Sequence, residues 1–349
     1  MELGKKIKQL RVKAGMTQEQ VAEKLGIGAQ SVSKWENSVA MPDITALPLI
    51  AEIFGVTIDD LFDLTVEQRL NRIENRMDAE EDLPRDVFFE FEEFLKSQLD
   101  SEEYKKRATE LIAYLYWHRM TSFARKVKRY AKEAVQASPG EKGCQWMLIK
   151  AEGHAAWDWN MSNHTAAIDF YREIVEKNPG ERLPYMYLID NLLADRRADE
   201  AEKVLDRLCK IKDSNPIMNE VYRAHIALAR FDEPKADGII CKLLEERGDD
   251  SACLFEAAQY YAGKCDYAKA IDYYERSFAS EKRLPRYQDE LMGIAYIYQI
   301  TGDYGKAAET YGRIVDLLKN EWGMTEDTEL KHAEKEKARM LELSNGKKR

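Results

Sequence analysis

The sequence predicts an all-α chain: a small N-terminal domain of about five helices, then an α-solenoid of two-helix repeats. Three observations lead there. Apolar residues recur at spacings of three and four through most of the chain, the period of one helix face. Glycine (18) and proline (9) are sparse among 349 residues, which argues against a turn-rich β chain. An alanine-centred pattern also returns about every 34 residues in the second half.

The first element is a helix with Leu3, Ile7 and Leu10 on one face. Thr17-Gln18-Glu19-Gln20 has the form of a capping box, so a second helix starts at Gln18, buries Val21, Ala22 and Leu25, and ends at Gly26 as a C′ glycine. The third runs from about Ala29 to Glu36, with Val32 and Trp35 inward. Ile44, Leu47, Ile50, Ala51 and Phe54 stripe a fourth. Pro48 must lie in its first turn or two, or kink it. Thr57 to Asp60 caps a fifth helix carrying Leu61 and Phe62.

Val66, Leu70, Ile73 and Met77 then form an a/d stripe. Two readings stand for it: a connector helix packed on its own chain, or a dimer contact. Asp78 to Asp82 reads as a solvated joint before Pro84, and Val87, Phe88, Phe91, Phe94 and Leu95 open an aromatic helix.

From about Ala108 the chain repeats. Ala167, Ala201, Ala236, Ala270 and Ala307 stand 34, 35, 34 and 37 residues apart. Each of the clearer copies has apolar or small residues nine and twelve positions upstream, as in Ala258 and Tyr261 or Ala295 and Tyr298. A fainter unit ends at Ala137-Ser138-Pro139. This pattern resembles the tetratricopeptide (TPR) repeat, best at Ala270/Tyr274 and Ala307/Tyr311. The tryptophan expected early in each repeat is absent, so the copies are degenerate. Asp327 to Leu343 would cap the array with a polar outer face, leaving "SNGKKR" as a frayed tail.

The stretches "MTQEQVAEKLGIGAQSVSKWENSVAMPD" and "IAEIFGVTIDDLF" resemble the phage-repressor-like, XRE-type helix-turn-helix family over about Leu3 to Leu64. The resemblance implies that the third helix enters the DNA major groove with its N-terminal residues at base edges. Gln30, Ser31, Ser33 and Lys34 would read bases. Gln18, at the start of the second helix, and Asn37, after the third, would touch phosphates. Arg11 and Glu36 would form a structural ion pair. Gly28 and Ala29 depart from the family, which often has Ser and then a long polar residue there; Ala29 keeps only a methyl to offer a thymine. A domain that has lost DNA binding and only packs is the competing reading.

The chain carries a net charge of −10, so any nucleic-acid contact must be local. Up to Asn37 seven cations face four carboxylates, a local +3, and DNA should face helices one to three. Cys144, Cys209, Cys241, Cys253 and Cys265 are odd in number and widely spaced, which suits buried free thiols in a reducing cytoplasm. No secretory leader or membrane span is legible. His118, His154, His164, His225 and His332 lack metal spacing, and "LGIGAQ" lacks the third glycine of a dinucleotide fingerprint. "HAAWDWNMSNH", His154 to His164, reads as packing plus an unusual inter-helix loop. No catalytic set, metal site or cofactor motif appears, so an enzyme is not expected.

The expected organisation is a helix-turn-helix domain at 1–64, a linker helix at 65–83, a helical lead-in at 84–107, the TPR-like array at 108–320, and a capping helix and tail at 321–349. The architecture resembles bacterial regulators in which an XRE-type domain precedes a TPR array, including peptide-pheromone receptors. That implies a cytoplasmic transcriptional regulator, a homodimer on double-stranded DNA, whose array senses a short peptide or a protein. Mapping the repeats places the candidate effector groove at Tyr116, Glu152, Trp159, Asp190, His225, Phe255, Gln259, Tyr296 and Gln299; few of these are the asparagines that line the groove in many such receptors. The alternative is an interaction scaffold, its array docking a partner and its DNA-binding domain only localising it.

Overall fold

The computed structural model describes residues 3–58, 61–62, 64–152 and 163–346. Among these, all regular structure is helical. No helix there is long and apolar enough to cross a membrane. The chain divides into two compact units, Met1–His154 and Ala155–Arg349, and each is described by itself.

The first unit opens with α1 (Leu3–Lys13), α2 (Gln18–Leu25), α3 (Ala29–Glu36) and α4 (Leu47–Phe54). Their apolar stripes meet in one core of Leu3, Ile7, Val21, Ala22, Val32, Trp35, Leu47, Ile50, Ala51 and Leu61. Pro48 sits at the second position of α4, behind a 3-10 turn at Ile44–Ala46. It loses no helical bond there, because first-turn N–H groups have no intrahelical acceptor. Of the expected fifth helix only a turn at 61–62 is seen, since 59, 60 and 63 lie outside the described residues.

Next come α5 (Val66–Ala79), α6 (Arg85–Ser97), α7 (Lys105–Ala137) and α8 (Lys142–Glu152). Leu70, Ile73 and Met77 are buried within one chain, against Phe88, Phe91, Leu95, Leu111 and Leu115. The connector reading of that stripe therefore holds, and the dimer-contact reading fails for want of exposed surface. The acidic joint is no free spacer. Asp78 accepts a hydrogen bond from the Tyr114 hydroxyl (2.6 Å), and Asp82 from Ser122 Oγ (2.6 Å) and Lys126 Nζ (2.6 Å). The Lys126 and Ser122 bonds hold the Asp82 carboxyl below its ordinary pKa. The 33-residue α7 runs unbroken across residue 108, where the array was expected to begin. The division at 154/155 falls inside that expected span.

The second unit starts with α9 (Thr165–Lys177). Four helix pairs follow: α10 (Arg182–Ala194) with α11 (Ala198–Leu208), α12 (Pro216–Ala229) with α13 (Glu233–Arg247), α14 (Ser251–Gly263) with α15 (Tyr267–Ser280), and α16 (Asp289–Thr301) with α17 (Tyr304–Asn320). The chain then enters α18 (Thr328–Gly346), which packs along α17. Ala201, Ala236, Ala270 and Ala307 are all fully buried, so second helices approach first helices closely. Their partners twelve residues upstream, Ile189, Ala224, Ala258 and Ala295, are equally buried. Ala167 on α9 is only half-buried. Of the five thiols only Cys253 is buried; Cys241 and Cys265 are exposed, because they fall on outward helix and turn positions.

One regularity escapes a reading by hydrophobic period. Five residues before each pairing alanine the backbone turns left-handed: Arg196 (φ 59°), Phe231 (φ 62°), Cys265 (φ 60°) and Gly302 (φ 75°). In the last three the next residue, Asp232, Asp266 or Asp303, caps the second helix by accepting from the backbone N–H of Lys235, Lys269 or Lys306. Only Gly302 takes the left-handed region without a Cβ penalty. Phe231 is 87% exposed and has no packing to offset that penalty. Phe231→Gly is therefore expected to stabilise the array by about 0.5–1 kcal/mol, the left-handed penalty of about 1–2 less glycine's backbone entropy. Thermal unfolding checks it; a lower Tm would mean the ring has a packing role.

Candidate nucleic-acid interface

The α2–turn–α3 corner is fixed from both ends by local chemistry. Thr17 Oγ1 accepts from the Gln20 N–H (3.2 Å) while Gln20 Oε1 accepts from the Thr17 N–H (2.8 Å). Gly26 ends α2 at φ 66°, where a side chain would be strained. Gly28 then caps α3 with extended backbone and no side-chain bond. The N-terminus of α3 is thus bare of side-chain caps; the Ser31 N–H turns back to the Gly28 carbonyl (2.9 Å), and the N–H groups of Ala29 and Gln30 before it have no intrahelical acceptor.

Helical spacing sorts α3 into two faces. Val32, Trp35 and Glu36 are buried. Gln30 and Lys34, four apart, are exposed together, with Ser31 and Ser33 half-exposed on either side of the same edge. The Asn37 amide donates to the Ser33 carbonyl (2.8 Å) and reaches Ser33 Oγ (3.4 Å), so Asn37 closes the C-terminus of α3 as well as facing solvent. Ala29 is half-buried and projects only a methyl.

Beneath this face lies an ion pair. Arg11 Nε donates to Glu36 Oε1 (2.5 Å) and Arg11 Nη2 to Glu36 Oε2 (3.0 Å), while Nη1 donates to the Met16 carbonyl (2.8 Å). The Glu36 side chain is 1% exposed and that of Arg11 13%. Gln18 Nε2 also donates to Glu36 Oε2 (2.8 Å). Burial alone would push the Glu36 carboxyl up, but the bonds from Arg11 and Gln18 more than offset it and hold it below the ordinary range. The same pairing raises the Arg11 pKa, against a smaller opposing effect of burial. The Gln18 amide, expected at a phosphate, is engaged with this carboxylate, and Gln18 itself is half-buried at the first position of α2.

Gly4 is a position that apolar patterning missed. A Cβ there would lie 1.9 Å from the Trp35 carbonyl oxygen, so α1 crosses α3 at backbone contact. The only available signal was a glycine inside an amphipathic helix.

The candidate groove positions are spread over both units. In the first, the Tyr116 hydroxyl donates to Glu92, and its ring meets Phe88 edge-on. Glu152 is ion-paired with Lys132 (2.5 Å) and Lys128 (3.2 Å), with 14% of its side chain exposed. Trp159, with most of the "HAAWDWNMSNH" loop, lies outside the described residues.

In the second unit α10, α12 and α14 lie side by side. Asp190, Gln259 and Tyr296 are exposed on the first helices of their repeats, and His225 is half-buried between them. Phe255 packs edge-on against Tyr274, and Gln299 Nε2 donates to the Tyr311 hydroxyl (2.9 Å), so both serve the interior too. The inner-face mapping missed two groups one helical turn away. Tyr222 donates its hydroxyl to Asp190 Oδ1 (3.0 Å), and Glu256 stands near the same tyrosine.

Residues 7–61 match a helix-turn-helix family (HTH_3). The HTH-type transcriptional activator BcrR of Enterococcus faecalis is 40% identical over 76 residues, 22% of this chain and 37% of BcrR. The HTH-type transcriptional regulator ImmR of Bacillus subtilis is 41% identical over 61 residues, 18% of this chain and 48% of ImmR. An uncharacterized HTH-type transcriptional regulator of Archaeoglobus fulgidus is 35% identical over 57 residues, 16% of this chain and 81% of that protein. The chain thus spans less than half the length of the first two relatives. Two solved structures also align. PlcR of Bacillus thuringiensis, in complex with the peptide PapR7 and DNA, has 16% identity over 84% of this chain and 97% of PlcR, at a TM-score of 0.24. Apo ComR of Streptococcus vestibularis has 14% identity over 97% of both chains, also at 0.24.

Proposed function

We propose, on the premise that this chain belongs to the helix-turn-helix (HTH-type) transcriptional regulators, that it is a sequence-specific, DNA-binding regulator acting in the cytoplasm. The observation that supports it most is the two-sided α3: a buried face locked by Trp35 and the Arg11–Glu36 pair, and an open face of Gln30, Ser31, Ser33 and Lys34. A helix held this rigidly can present side chains to base edges at fixed depth. Gln30 pairs with adenine and Lys34 with guanine, while the two serines adapt to either. Phosphates meet the backbone N–H of Gln18 and the exposed side of Asn37. One domain of this size binds DNA modestly, so two copies act on two half-sites as a homodimer.

In this reading 1–64 is the DNA-binding domain, 65–83 the linker helix, 84–107 a lead-in, 108–320 the repeat array and 321–349 its cap. The array senses a peptide or protein effector, and the chain carries out no catalysis. The test of the DNA half is a binding titration on a fragment from the gene's own promoter. Gln30→Ala should weaken binding by about 1–3 kcal/mol and relax choice at one base pair per half-site. Unchanged operator choice would remove Gln30 as a reader.

A further inference from the structure

The first helices of the repeats are poor in cations. Across α10, α12, α14 and α16 the only ones are Arg182, at the first residue of α10, and Arg223, which pairs with Glu220 on its own helix. Beyond α14, Lys264 is held by Asp237 and Glu233, each at 2.6 Å. Of the carboxylates on these helices, Glu220 is paired with Arg223, Asp289 stands at the first residue of α16, and Glu290 is buried and accepts from Ser277 Oγ (3.0 Å). That leaves Asp190 on α10 and Glu256 on α14, on either side of α12, as negative groups with no cation to answer them. Asp190 has only the Tyr222 hydroxyl, and Glu256 has no hydrogen-bond or ion-pair partner among the described residues. Between them His225 sits against the Tyr260 ring at 6.2 Å between centroids. Aromatic walls flank the line, with Tyr187 and Tyr296 each about half exposed.

Carboxylates and aromatic faces together select a cation. The run from α10 to α16 takes three interhelix steps of about 8–10 Å. It therefore spans about 24–30 Å, the reach of roughly seven to nine extended residues at about 3.3–3.6 Å each. We propose that this inner face recognises a short extended peptide through a positively charged group, a lysine or arginine side chain or a terminal ammonium, seated between Asp190 and Glu256. The inference rests on the effector-sensing reading above and specifies the charge of the effector.

Burial supports it. It raises the Glu256 carboxyl pKa; that of Asp190, whose side chain reaches solvent at the edge of the face, is also raised by the loss of hydration on its inner side, against the opposing Tyr222 bond. It also lowers that of His225, so the imidazole does not supply the missing charge at neutral pH. A carboxyl whose folded pKa is raised destabilises the fold as pH rises through that pKa. Glu256 is therefore no structural asset at neutral pH, and Glu256→Gln should leave the array folded.

The test is selection of a random heptapeptide display library on the full chain, followed by fluorescence-polarisation titration of the winning peptide. The inference expects winners with Lys or Arg at one fixed position, or dependent on a free amino terminus. Glu256→Gln and Asp190→Asn should each weaken the winner at least about tenfold, as expected for a lost charge-assisted bond. They should weaken its uncharged norleucine or acetylated counterpart far less. Winners that are acidic or neutral, or that bind Glu256→Gln unchanged, would overturn the inference and leave effector sensing standing. Displacement by free spermidine at the peptide's own working concentration would show that the face reads charge without a peptide, and would overturn it too. A library that enriches nothing would contradict effector sensing by a peptide, and the inference with it.

Discussion

Arg11→Ala is expected to lower the stability of the N-terminal domain by about 3 kcal/mol, the lower end of the range for breaking a buried pair, because Arg11 keeps 13% of its side chain in water. The loss does not measure the pair's net worth. It comes from leaving Glu36, 1% exposed, with only Gln18 to answer its charge. The same substitution removes the donor to the Met16 carbonyl, which fixes the turn into α2. The pair also sets a pH dependence with a definite sign. The folded-state pKa of Glu36 lies below its ordinary value. Its contribution is therefore full above the unfolded carboxylate range, about 4, and is lost as pH falls through the folded value. Thermal melts of the wild type should fall steeply at acid pH, and those of Glu36→Gln less so. Equal acid sensitivity in the two would mean that Glu36 is not the group responsible.

Trp35→Ala should have the largest effect, about 3–5 kcal/mol for emptying a core indole site. Trp35 is 8% exposed, a member of the α1–α4 core, and its carbonyl is the surface on which Gly4 rests. A domain of about 60 residues has only about 3–9 kcal/mol to lose. The variant is thus expected to lose DNA binding through local unfolding. The second unit has its own cores and should stay folded. Circular dichroism would show most of the helix retained while operator binding disappears. Retained binding would mean that DNA binding does not depend on α3 being held by this core.

The elements whose cause is local were the legible ones. The capping box at Thr17, the glycine stop at Gly26, the first-turn place of Pro48 and the repeat alanines all announce themselves within a few residues. The partner of the Leu70–Met77 stripe stayed open, because an a/d pattern looks the same whether another chain covers it or α6 and α7 do. The acidic joint misled for the same reason: Asp82 meets Ser122 and Lys126 some 40 residues away. At the candidate interface, the resemblance pointed to the exposed edge of α3 and to the Arg11–Glu36 pair. The inward turn of Gln18 depends on where Glu36 stands in three dimensions. Gly4 was hidden because a close backbone approach leaves no apolar pattern. Tyr222 and Glu256 were missed because the inner-face mapping stepped over the turn that faces the preceding repeat.

The most direct measurement of the central claim is a nuclease footprint of the full chain on its own promoter region, taken over a range of salt. The account predicts two protected half-sites about 34–36 Å apart or a multiple of it. Occupancy should fall steeply with salt, by about 10³–10⁵ in affinity between 50 and 200 mM if six to ten phosphates are neutralised. A single protected site would contradict the dimer, and the absence of any salt-sensitive protection on genomic DNA would contradict DNA binding itself.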